Sequence, residues 1–275
     1  MKTNLFVAAH KPGWPSLPEG YTVIQAGAAL HDHLPQAGAW DDAGENISQK
    51  NPNYCELTAL WWIAHHAEDD ILGLAHYRRL FDFAPCSNPL LDHYRRTADA
   101  PDLQAMLQTG GIPGLLDGYD ILLPRAQYFN EGLAAQYRLA HRADDFDAME
   151  EAFRAHHPED MAAFHRVMQG HRQYGYNMLV ARRDLFYAYA DWLFTILDDV
   201  AERITVSTDS YQARVFGFLS ERLMSVFVET QHLRVRELPV IFIEDHPSAT
   251  WRRKSIHTMM ADVGLISWHT DHANG

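Results

Sequence analysis

The hydrophobic positions of this chain fall into short apolar runs and into longer segments with helical spacing. Short apolar runs bounded by turn or charged residues predict buried strands. Segments in which apolar residues recur every three or four positions predict helices. The mixture of the two indicates an α/β fold. The predicted strands cover residues 5–9, 21–25, 71–75, 119–124, 176–181 and 239–243.

The clearest helical pattern lies in the second half of the chain. Apolar side chains align on one face across residues 185–200 and again across residues 210–229. Residues 130–170 are polar with a helical pattern, and we expect them to form a helical insertion. We therefore predict one domain over residues 1–245 with a helical C-terminal half. No sustained period continues into residues 246–275, which we predict to be a C-terminal tail.

The stretch over residues 46–79 carries the most specific pattern. A polar segment leads into a short helix, an acidic turn follows, and an apolar strand then ends abruptly at His76-Tyr77-Arg78-Arg79. Open α/β sheets bind ligands at the carboxyl ends of their strands, so this cluster puts hydrogen-bond donors where a ligand binds. A strand that ends in solvated arginines has the same pattern, and the residues alone leave both interpretations open.

Other polar residues are candidates for the same sheet edge. His10 and Lys11 follow the first predicted strand, although an ordinary strand-exit loop has the same composition. Ser48 and Asn51 precede a predicted helix, where a short polar side chain commonly caps free backbone N–H groups. Lys50 has no capping role, which makes it the sharper candidate for binding an anion.

The sequence contains no recognisable metal motif. Asp145-Phe146-Asp147 is a literal D-x-D, but it begins a helix, so we favour helix capping over metal binding. The paired histidines lack a third ligand at the spacing of a metal site, and neither H-E-x-x-H nor C-x-x-C occurs.

Composition excludes several classes of protein. A formal net charge of -13 argues against a general nucleic-acid binder, which needs a basic face. No apolar run approaches the roughly 18 residues that span a bilayer, and the N-terminus is a poor secretion signal. Cys55 and Cys86 do not suggest a disulfide scaffold, so we expect a cytoplasmic protein. The basic cluster at residues 251–254 is a candidate for peripheral contact with a membrane surface.

Several blocks, kept in order from His10 to Val240, carry a family resemblance. They are His10-Lys11, Gln25-Ala26-Gly27-Ala28-Ala29-Leu30, Glu45-Asn46-Ile47-Ser48-Gln49-Lys50-Asn51, Tyr54-Cys55-Glu56-Leu57-Thr58-Ala59, Gly73-Leu74-Ala75-His76-Tyr77-Arg78-Arg79, Tyr119-Asp120-Ile121-Leu122-Leu123-Pro124, Tyr176-Asn177-Met178, Tyr211-Gln212-Ala213-Arg214-Val215-Phe216-Gly217-Phe218, Ser220-Glu221-Arg222-Leu223 and Arg236-Glu237-Leu238-Pro239-Val240. Together they resemble the bacterial family catalogued as domain of unknown function 4422 (DUF4422), which is found in capsular and exopolysaccharide loci.

The resemblance implies a glycosyltransferase. Its fold would be the single nucleotide-sugar-binding α/β domain of the A type (GT-A), with a mixed central sheet flanked by helices. The expected donor is a nucleotide-diphosphate sugar of the UDP class, with UDP-galactose and UDP-galactofuranose as candidates. The expected acceptor is a growing capsular, exopolysaccharide or O-antigen glycan, including a lipid-linked oligosaccharide at the inner face of the cytoplasmic membrane.

In the A-type fold a metal-binding D-x-D ends a central strand, and here the cluster that ends in Arg78 and Arg79 takes the equivalent place. We therefore expect no metal ligands, with a divalent Mg²⁺ or Mn²⁺ cofactor as the alternative. Fixed arginine forks would neutralise the diphosphate instead. The predicted donor-binding residues are His10, Lys11, Ser48, Lys50, Asn51, His76, Tyr77, Arg78, Arg79 and Asn177.

An inverting transferase also needs a group that deprotonates the acceptor hydroxyl. The candidates are Glu131, Asp145 and Glu221, followed by His141 and Asp144, and the sequence does not choose among them. A retaining enzyme needs no such base. Two other classes stay open, namely a binding module without catalysis and a sugar-phosphate transferase or hydrolase.

Overall fold

A computed structural model describes residues 1–84, 91–245 and 251–253 of the chain. Strands and helices alternate through the described residues, as the apolar pattern predicts. The strands are β1 (Thr3–Ala9), β2 (Tyr21–Gln25), β3 (Ala39–Trp40), β4 (Ile71–His76), β5 (Arg79–Phe81), β6 (Leu91–Arg96), β7 (Ile121–Pro124), β8 (Gln127–Tyr128), β9 (Arg172–Gln173), β10 (Leu179–Arg182), β11 (Val235–Leu238), β12 (Val240–Ile243) and β13 (Trp251–Arg253). The helices are α1 (Asn51–Tyr54), α2 (Leu57–His66), α3 (Leu103–Met106), α4 (Ile112–Leu115), α5 (Leu133–Ala140), α6 (Ala143–His156), α7 (Met161–Gln169), α8 (Arg183–Arg203) and α9 (Val215–Thr230).

The main part of the sheet has the order β3-β2-β1-β4-β10-β7-β11. Strands β2 and β4 both run parallel to β1, and β3 runs parallel to β2. Strand β10 is antiparallel to both β4 and β7, and β11 is parallel to β7. One reversed strand therefore lies among six that share a direction. The mixed central sheet that we expect is confirmed.

The sheet branches at the end of β4. A tight turn joins β4 to β5, β5 pairs with β12, and β6 and β13 extend that branch. Strands β5, β6 and β11 are absent from our prediction. Residues 251–253, which we predict to belong to the tail, form β13 on the edge of β6. Lys254 and the rest of the predicted tail lie outside the described residues, as does Cys86.

Alternate residues of β1 face two different hydrophobic layers, because successive side chains of a strand point to opposite faces. Phe6 and Ala8 lie in the larger core with α2 and the helices from α5 to α9. Leu5 and Val7 lie in the smaller core, which α3 and α4 cover. Burial on both faces explains why residues 5–9 of β1 form an unbroken apolar run in sequence.

Close packing at the middle of the sheet depends on Gly73 of β4. A Cβ atom at this position would lie 3.0 Å from Val180 Cγ2 and 3.1 Å from Leu5 Cγ. Both neighbours sit in the tightly packed core, so neither can move far. The glycine therefore allows β4 to run between β1 and β10, and this strand carries the cluster at its end to the carboxyl edge of the sheet.

The helical half of the chain follows the predicted outline. Helices α5, α6 and α7 occupy the region that we predict to be a helical insertion. The last long helix begins at Val215, after a single 3₁₀ turn over Gln212–Arg214, and so starts later than the pattern predicts. Among the described residues, none of the helices combines the length and the apolar character that crossing a bilayer requires.

Candidate functional site

A cleft of about 650 Å³ opens at the carboxyl ends of β1, β2 and β4. Its floor is formed by Ala8 and Ala9 at the end of β1 and by Ala26 just after β2. Helix α9 and the segment that precedes β10 form the facing wall. The carboxyl edge of a parallel sheet is where open α/β folds bind their ligands, and the size of the cleft is in the range of small-molecule sites.

The cluster at the end of β4 is a hairpin corner. His76 and Arg79 are direct cross-strand partners, and both line the cleft. Tyr77 and Arg78 form the turn between them and point elsewhere. Tyr77 is buried at 3% exposure, whereas Arg78 is exposed and lies 3.6 Å from Asp245. Only half of the predicted cationic cluster therefore faces the cleft.

Two arginines line the cleft, and each lies over an aromatic ring. The Arg79 guanidinium carbon is 4.9 Å from the ring centre of Tyr176 and 5.9 Å from that of Phe242. Arg214 lies over Phe218 at 5.6 Å, and its Nε donates a hydrogen bond to Cys55 Sγ at 3.3 Å. Aromatic faces attract guanidinium groups and restrict their motion, so both charges are held near the cleft.

Burial keeps the two histidines of the cleft neutral at pH 7. The pKa of His76 falls to about 4, mainly because of burial; the charge of Glu56 opposes this shift and that of Arg79 adds to it. Burial likewise lowers the pKa of His10, and the charge of Lys11 adds to the effect. Within the described residues, the buried His76 Nδ1 atom has no hydrogen-bond partner. Buried polar atoms are normally satisfied, so this nitrogen is available to a ligand bound in the cleft.

Two carboxylates face the same space. Glu221 Oε1 accepts a hydrogen bond from the Tyr176 backbone N–H at 2.8 Å, and its Oε2 accepts one from Gln173 Nε2 at 3.1 Å. Burial raises the pKa of Glu221, while the adjacent Arg222 opposes that shift. Glu56 Oε1 accepts a hydrogen bond from the side-chain amide of Asn177 at 2.8 Å. Both carboxylates are therefore fixed in orientation.

The backbone that holds these carboxylates adopts an unusual conformation. Tyr176 and Asn177 have φ angles of 73° and 50°, in the left-handed region that most side chains avoid. The Asn177 side chain compensates by donating a hydrogen bond to the Gly217 carbonyl at 3.1 Å and by accepting one from Ser220 Oγ at 2.8 Å. Left-handed residues cost about 1–2 kcal/mol each and recur at functional sites. Here they aim the Tyr176 N–H at Glu221.

Comparison with known proteins decides the family. The family described as domain of unknown function (DUF4422) matches residues 4–232. The chain belongs to this family. No protein with a curated description matches it. A solved structure described as the apo form of the bifunctional glycosyltransferase WbbM superposes with a TM-score of 0.81 at 27% sequence identity. That match covers 89% of this chain and 46% of the WbbM chain, so the chain spans less than half the length of WbbM.

Of the ten donor-binding residues predicted for this DUF4422 member, five line the cleft. They come from four segments that are far apart in sequence, and the fold brings them together at the sheet edge. Asn51 also has a structural role, because its side-chain amide donates hydrogen bonds to the Cys55 carbonyl at 2.7 Å and to Thr58 Oγ1 at 3.1 Å. The five are His10, Asn51, His76, Arg79 and Asn177.

The other five predicted donor-binding residues do not line the cleft. Tyr77 and Arg78 form the hairpin turn described above, and Lys11 is an exposed residue beside His10. Lys50 ends the 3₁₀ turn Ser48–Lys50, is half exposed, and lies 3.7 Å from Asp198.

Ser48 is buried and has a structural role instead. Its hydroxyl donates to Asp41 Oδ1 at 2.5 Å and accepts a hydrogen bond from the Ala29 backbone N–H at 3.0 Å. Asp41 also accepts hydrogen bonds from the backbone N–H groups of Gly27 and Ala28. This network fixes the loop after β2. Of the polar candidates in the segment from Ser48 to Asn51, Asn51 lines the cleft and Ser48 anchors the loop after β2.

The predicted bases also divide into residues that line the cleft and residues that do not. Glu221 lines the cleft, whereas Glu131 is exposed in the turn before α5. Asp145 lies in the first turn of α6, buried away from the cleft, and burial raises its pKa. The side chain at the N-cap position, Arg142, makes no capping hydrogen bond. The helix has no side-chain cap among the described residues, so the predicted capping by Asp145 is wrong. Asp145 lies in the first turn of α6, where the dipole favours an acid, and does not line the cleft.

Sequence reasoning missed Arg214 and Glu56 as residues of the cleft. Arg214 lies in the short turn before α9, and no periodic pattern marks it. Glu56 precedes α2, where an acid has an ordinary reason to occur. The only available signal was their presence in the blocks that carry the family resemblance.

The side chains at the end of β4 differ from the ligands that Mg²⁺ prefers. Mg²⁺ takes oxygen ligands, whereas this edge offers an imidazole and a guanidinium. The two carboxylates nearby already accept hydrogen bonds from the protein. In the part of the chain that the structure describes, one cluster has metal-ligand geometry, formed by His157, Glu159 and Asp160, and none of these residues lines the cleft.

Proposed function

We propose that this chain is a glycosyltransferase that moves a sugar from a nucleotide-diphosphate donor to a glycan acceptor. The observation that carries the proposal is the cleft at the carboxyl edge of the sheet, where His76, Arg79 and Arg214 face Glu56 and Glu221. The similarity to WbbM over 89% of the chain supports the same class of reaction.

The cationic side of the cleft would bind the diphosphate. Negative charge develops on the diphosphate as it leaves, and fixed donors that face this charge lower the barrier. Arginine keeps its proton at any ordinary pH and matches phosphate oxygens with two parallel N–H groups. Arg79 and Arg214 therefore take the part that a divalent ion plays in other transferases. Neutral His76 adds one hydrogen-bonding nitrogen.

The acidic side would perform the proton transfer. In an inverting reaction the acceptor oxygen bonds to the anomeric carbon of the donor sugar while the bond from that carbon to the diphosphate breaks. The electron pair of the broken bond leaves with the nucleoside diphosphate, and the acceptor proton passes to Glu221. A carboxylate with a raised pKa is a stronger base than an ordinary one, which suits this role.

The finer identity of the substrates follows the family resemblance. We propose a UDP-sugar donor, with UDP-galactose and UDP-galactofuranose as the first candidates. The acceptor would be a capsular, exopolysaccharide or O-antigen glycan, carried on a lipid at the inner face of the cytoplasmic membrane. A cleft of about 650 Å³ is large enough for a nucleotide sugar.

Thermal unfolding in the presence of nucleotides tests the proposal directly. UDP and UDP-sugars should stabilise the protein by about 3 kcal/mol at a hundredfold excess over the dissociation constant, and a chelator should leave the shift unchanged. No stabilisation by any nucleotide sugar would overturn the proposal. A shift that needs Mg²⁺ or Mn²⁺ would refute the metal-independent mechanism. Binding of a UDP-sugar without release of UDP in the presence of any acceptor would indicate a binding module. Turnover of simple sugar phosphates would indicate a sugar-phosphate transferase or hydrolase.

A further inference from the structure

Tyr211 is an exposed aromatic side chain at the cleft. It is 54% exposed and contributes to the lining. The other exposed large hydrophobic residues in the described part of the chain are Met1, Leu30, Tyr119 and Leu139, and none of them lines the cleft. Because Tyr211 lines the cleft, its exposed ring is accessible to a ligand bound there.

The ring of Tyr211 is backed by two others. It lies 5.1 Å from the ring of Phe218, and the His141 ring stacks on Phe218 at 4.1 Å. The ring of His141 is also nearly parallel to that of Tyr211, with an interplanar angle of 22° and ring centres 5.9 Å apart. Burial lowers the pKa of His141, so that its ring is uncharged at pH 7 and packs as an aromatic. We call Tyr211 and Phe218 the aromatic ledge.

Hydrogen bonds fix the backbone of the ledge. The Tyr211 N–H donates to Asp209 Oδ1 at 3.0 Å. The next residue, Gln212, donates from Nε2 to the Ala140 carbonyl at 3.1 Å and pairs through Oε1 with His141 Nδ1 at 3.1 Å. The exposed ring is therefore carried by a turn that hydrogen bonds constrain, so ordering the loop on ligand binding costs little free energy.

The ledge lies beside the carboxylate that we assign as the base. Phe218 and Glu221 are three residues apart on α9, and residues at this spacing are neighbours on one helix face, about 5–6 Å apart at Cβ. This distance is similar to the width of a sugar ring. Arg79 lies on another element of the cleft, the β4–β5 hairpin, whereas Arg214 lies over Phe218 of the ledge at 5.6 Å.

We propose that the aromatic ledge is the acceptor subsite, where the apolar face of a pyranose ring stacks on Tyr211 and presents a hydroxyl to Glu221. One face of a pyranose carries several C–H groups, which pack on an aromatic ring, while the hydroxyls at its rim reach polar side chains. The inference rests on the proposed function. It specifies the class of acceptor that binds at the aromatic ledge, namely a pyranoside.

Saturation-transfer NMR tests the subsite with methyl pyranosides of galactose, glucose, mannose and N-acetylglucosamine, in the presence of saturating UDP. At least one glycoside should bind the parent protein, and Tyr211→Ala should weaken its binding about tenfold. Tyr211→Phe should retain binding because it keeps the ring. Tyr119→Ala is the matched control, since it removes an exposed tyrosine that does not line the cleft.

The affinity for UDP separates the possible failures. We expect Tyr211→Ala to bind UDP as tightly as the parent. Loss of UDP binding in this variant would assign the ring to the donor base and overturn the acceptor subsite. Absence of glycoside binding to a parent that binds UDP would also overturn it, and so would unchanged glycoside binding in the variant. A parent that binds no nucleotide would instead refute the proposed function on which the subsite rests.

Discussion

His76 and Arg79 are direct partners across the hairpin between β4 and β5. Cross-strand partners lie on the same face of a sheet, so both side chains reach the cleft while the two residues between them form the turn. What is one cationic cluster in sequence is therefore two pairs in space. One pair faces the cleft, and the other is turned away from it.

Arg79→Ala should weaken UDP binding strongly, and Arg78→Ala should not. Arg79 lines the cleft over Tyr176, whereas Arg78 lies outside the cleft. Hydrogen bonds to a charged group contribute about 1.5–3 kcal/mol, so we expect a loss of about 10- to 100-fold in affinity for Arg79→Ala. Isothermal titration calorimetry with UDP measures both. Equal losses in the two variants would contradict the division of the cluster.

Glu221→Gln should abolish most turnover while leaving donor affinity intact. The amide keeps an oxygen that can accept the hydrogen bond from the Tyr176 N–H, but it takes up no proton. General base catalysis contributes about 10²- to 10⁴-fold, and the initial rate of UDP release should fall by that factor. Glu131→Gln is the matched control, since Glu131 does not line the cleft.

The dependence of kcat/KM on pH tests the same assignment of Glu221 as the base. Burial raises the pKa of Glu221, so the acid limb of kcat/KM should lie above the ordinary value of 4.5 for a glutamic acid. Activity should fall as pH decreases through this limb, because the protonated carboxyl is no longer a base. If the Glu221→Gln variant retains the acid limb of kcat/KM, the limb belongs to another titrating group.

Stability should depend on pH through His76. Its pKa is about 4 in the folded protein and about 6.5 when unfolded, so the unfolded chain takes up the proton first as pH falls. The stabilisation of the folded state by neutral His76 is fully present above pH 6.5. It is lost between pH 6.5 and pH 4, and the free energy of unfolding falls by up to about 1.4 kcal/mol per pH unit. Glu56 opposes this pKa shift, whereas Arg79, His10 and Arg214 add to it.

Urea unfolding at several pH values measures this effect. The free energy of unfolding of the parent should fall more steeply below pH 6.5 than that of His76→Gln, which cannot titrate. Parallel curves for the two proteins would show that the imidazole has the same pKa in both states. The difference between the curves cancels the contributions of all other titrating groups that the substitution leaves unchanged.

Asn177→Ala should destabilise the fold by about 2–3 kcal/mol. The substitution removes the hydrogen bonds to Glu56, Gly217 and Ser220, each of which contributes about 1 kcal/mol. The alanine must still adopt a φ of 50°, which its Cβ atom disfavours, without these hydrogen bonds. Asn177→Gly also loses the side-chain bonds but adopts this φ freely, so it should be about 1 kcal/mol more stable than the alanine variant. Equal stability of the two variants would argue against backbone strain.

The sequence predicts the strands that are buried on both faces, because these are continuous apolar runs. Strand β11 escapes prediction because its first three residues are only partly buried and two of them are charged, and β6 escapes because it is rich in charged residues. Strand β5 has three residues and is too short to show a period. Pattern reasoning therefore finds the centre of the sheet and misses its branch and its edge.

The cleft is harder to predict, because its charged residues are contributed by separate elements. Arg214 and Glu56 are 158 positions apart in sequence but line one cavity. The hairpin reverses the chain between His76 and Arg79, and no residue in this cluster signals a turn by being glycine, proline or asparagine. Which arginine faces the ligand is therefore decided by strand pairing, which composition does not encode.

The stacking of Arg79 on Phe242 has a consequence for where the folding unit ends. The family match stops at residue 232, yet Phe242 lies on β12, and β11 covers the edge of β7. A shortened chain that stops at residue 232 would uncover the β7 backbone and remove one of the two rings that hold Arg79. We therefore expect a piece that keeps the cleft intact to extend beyond the matched region, through β12 to residue 243.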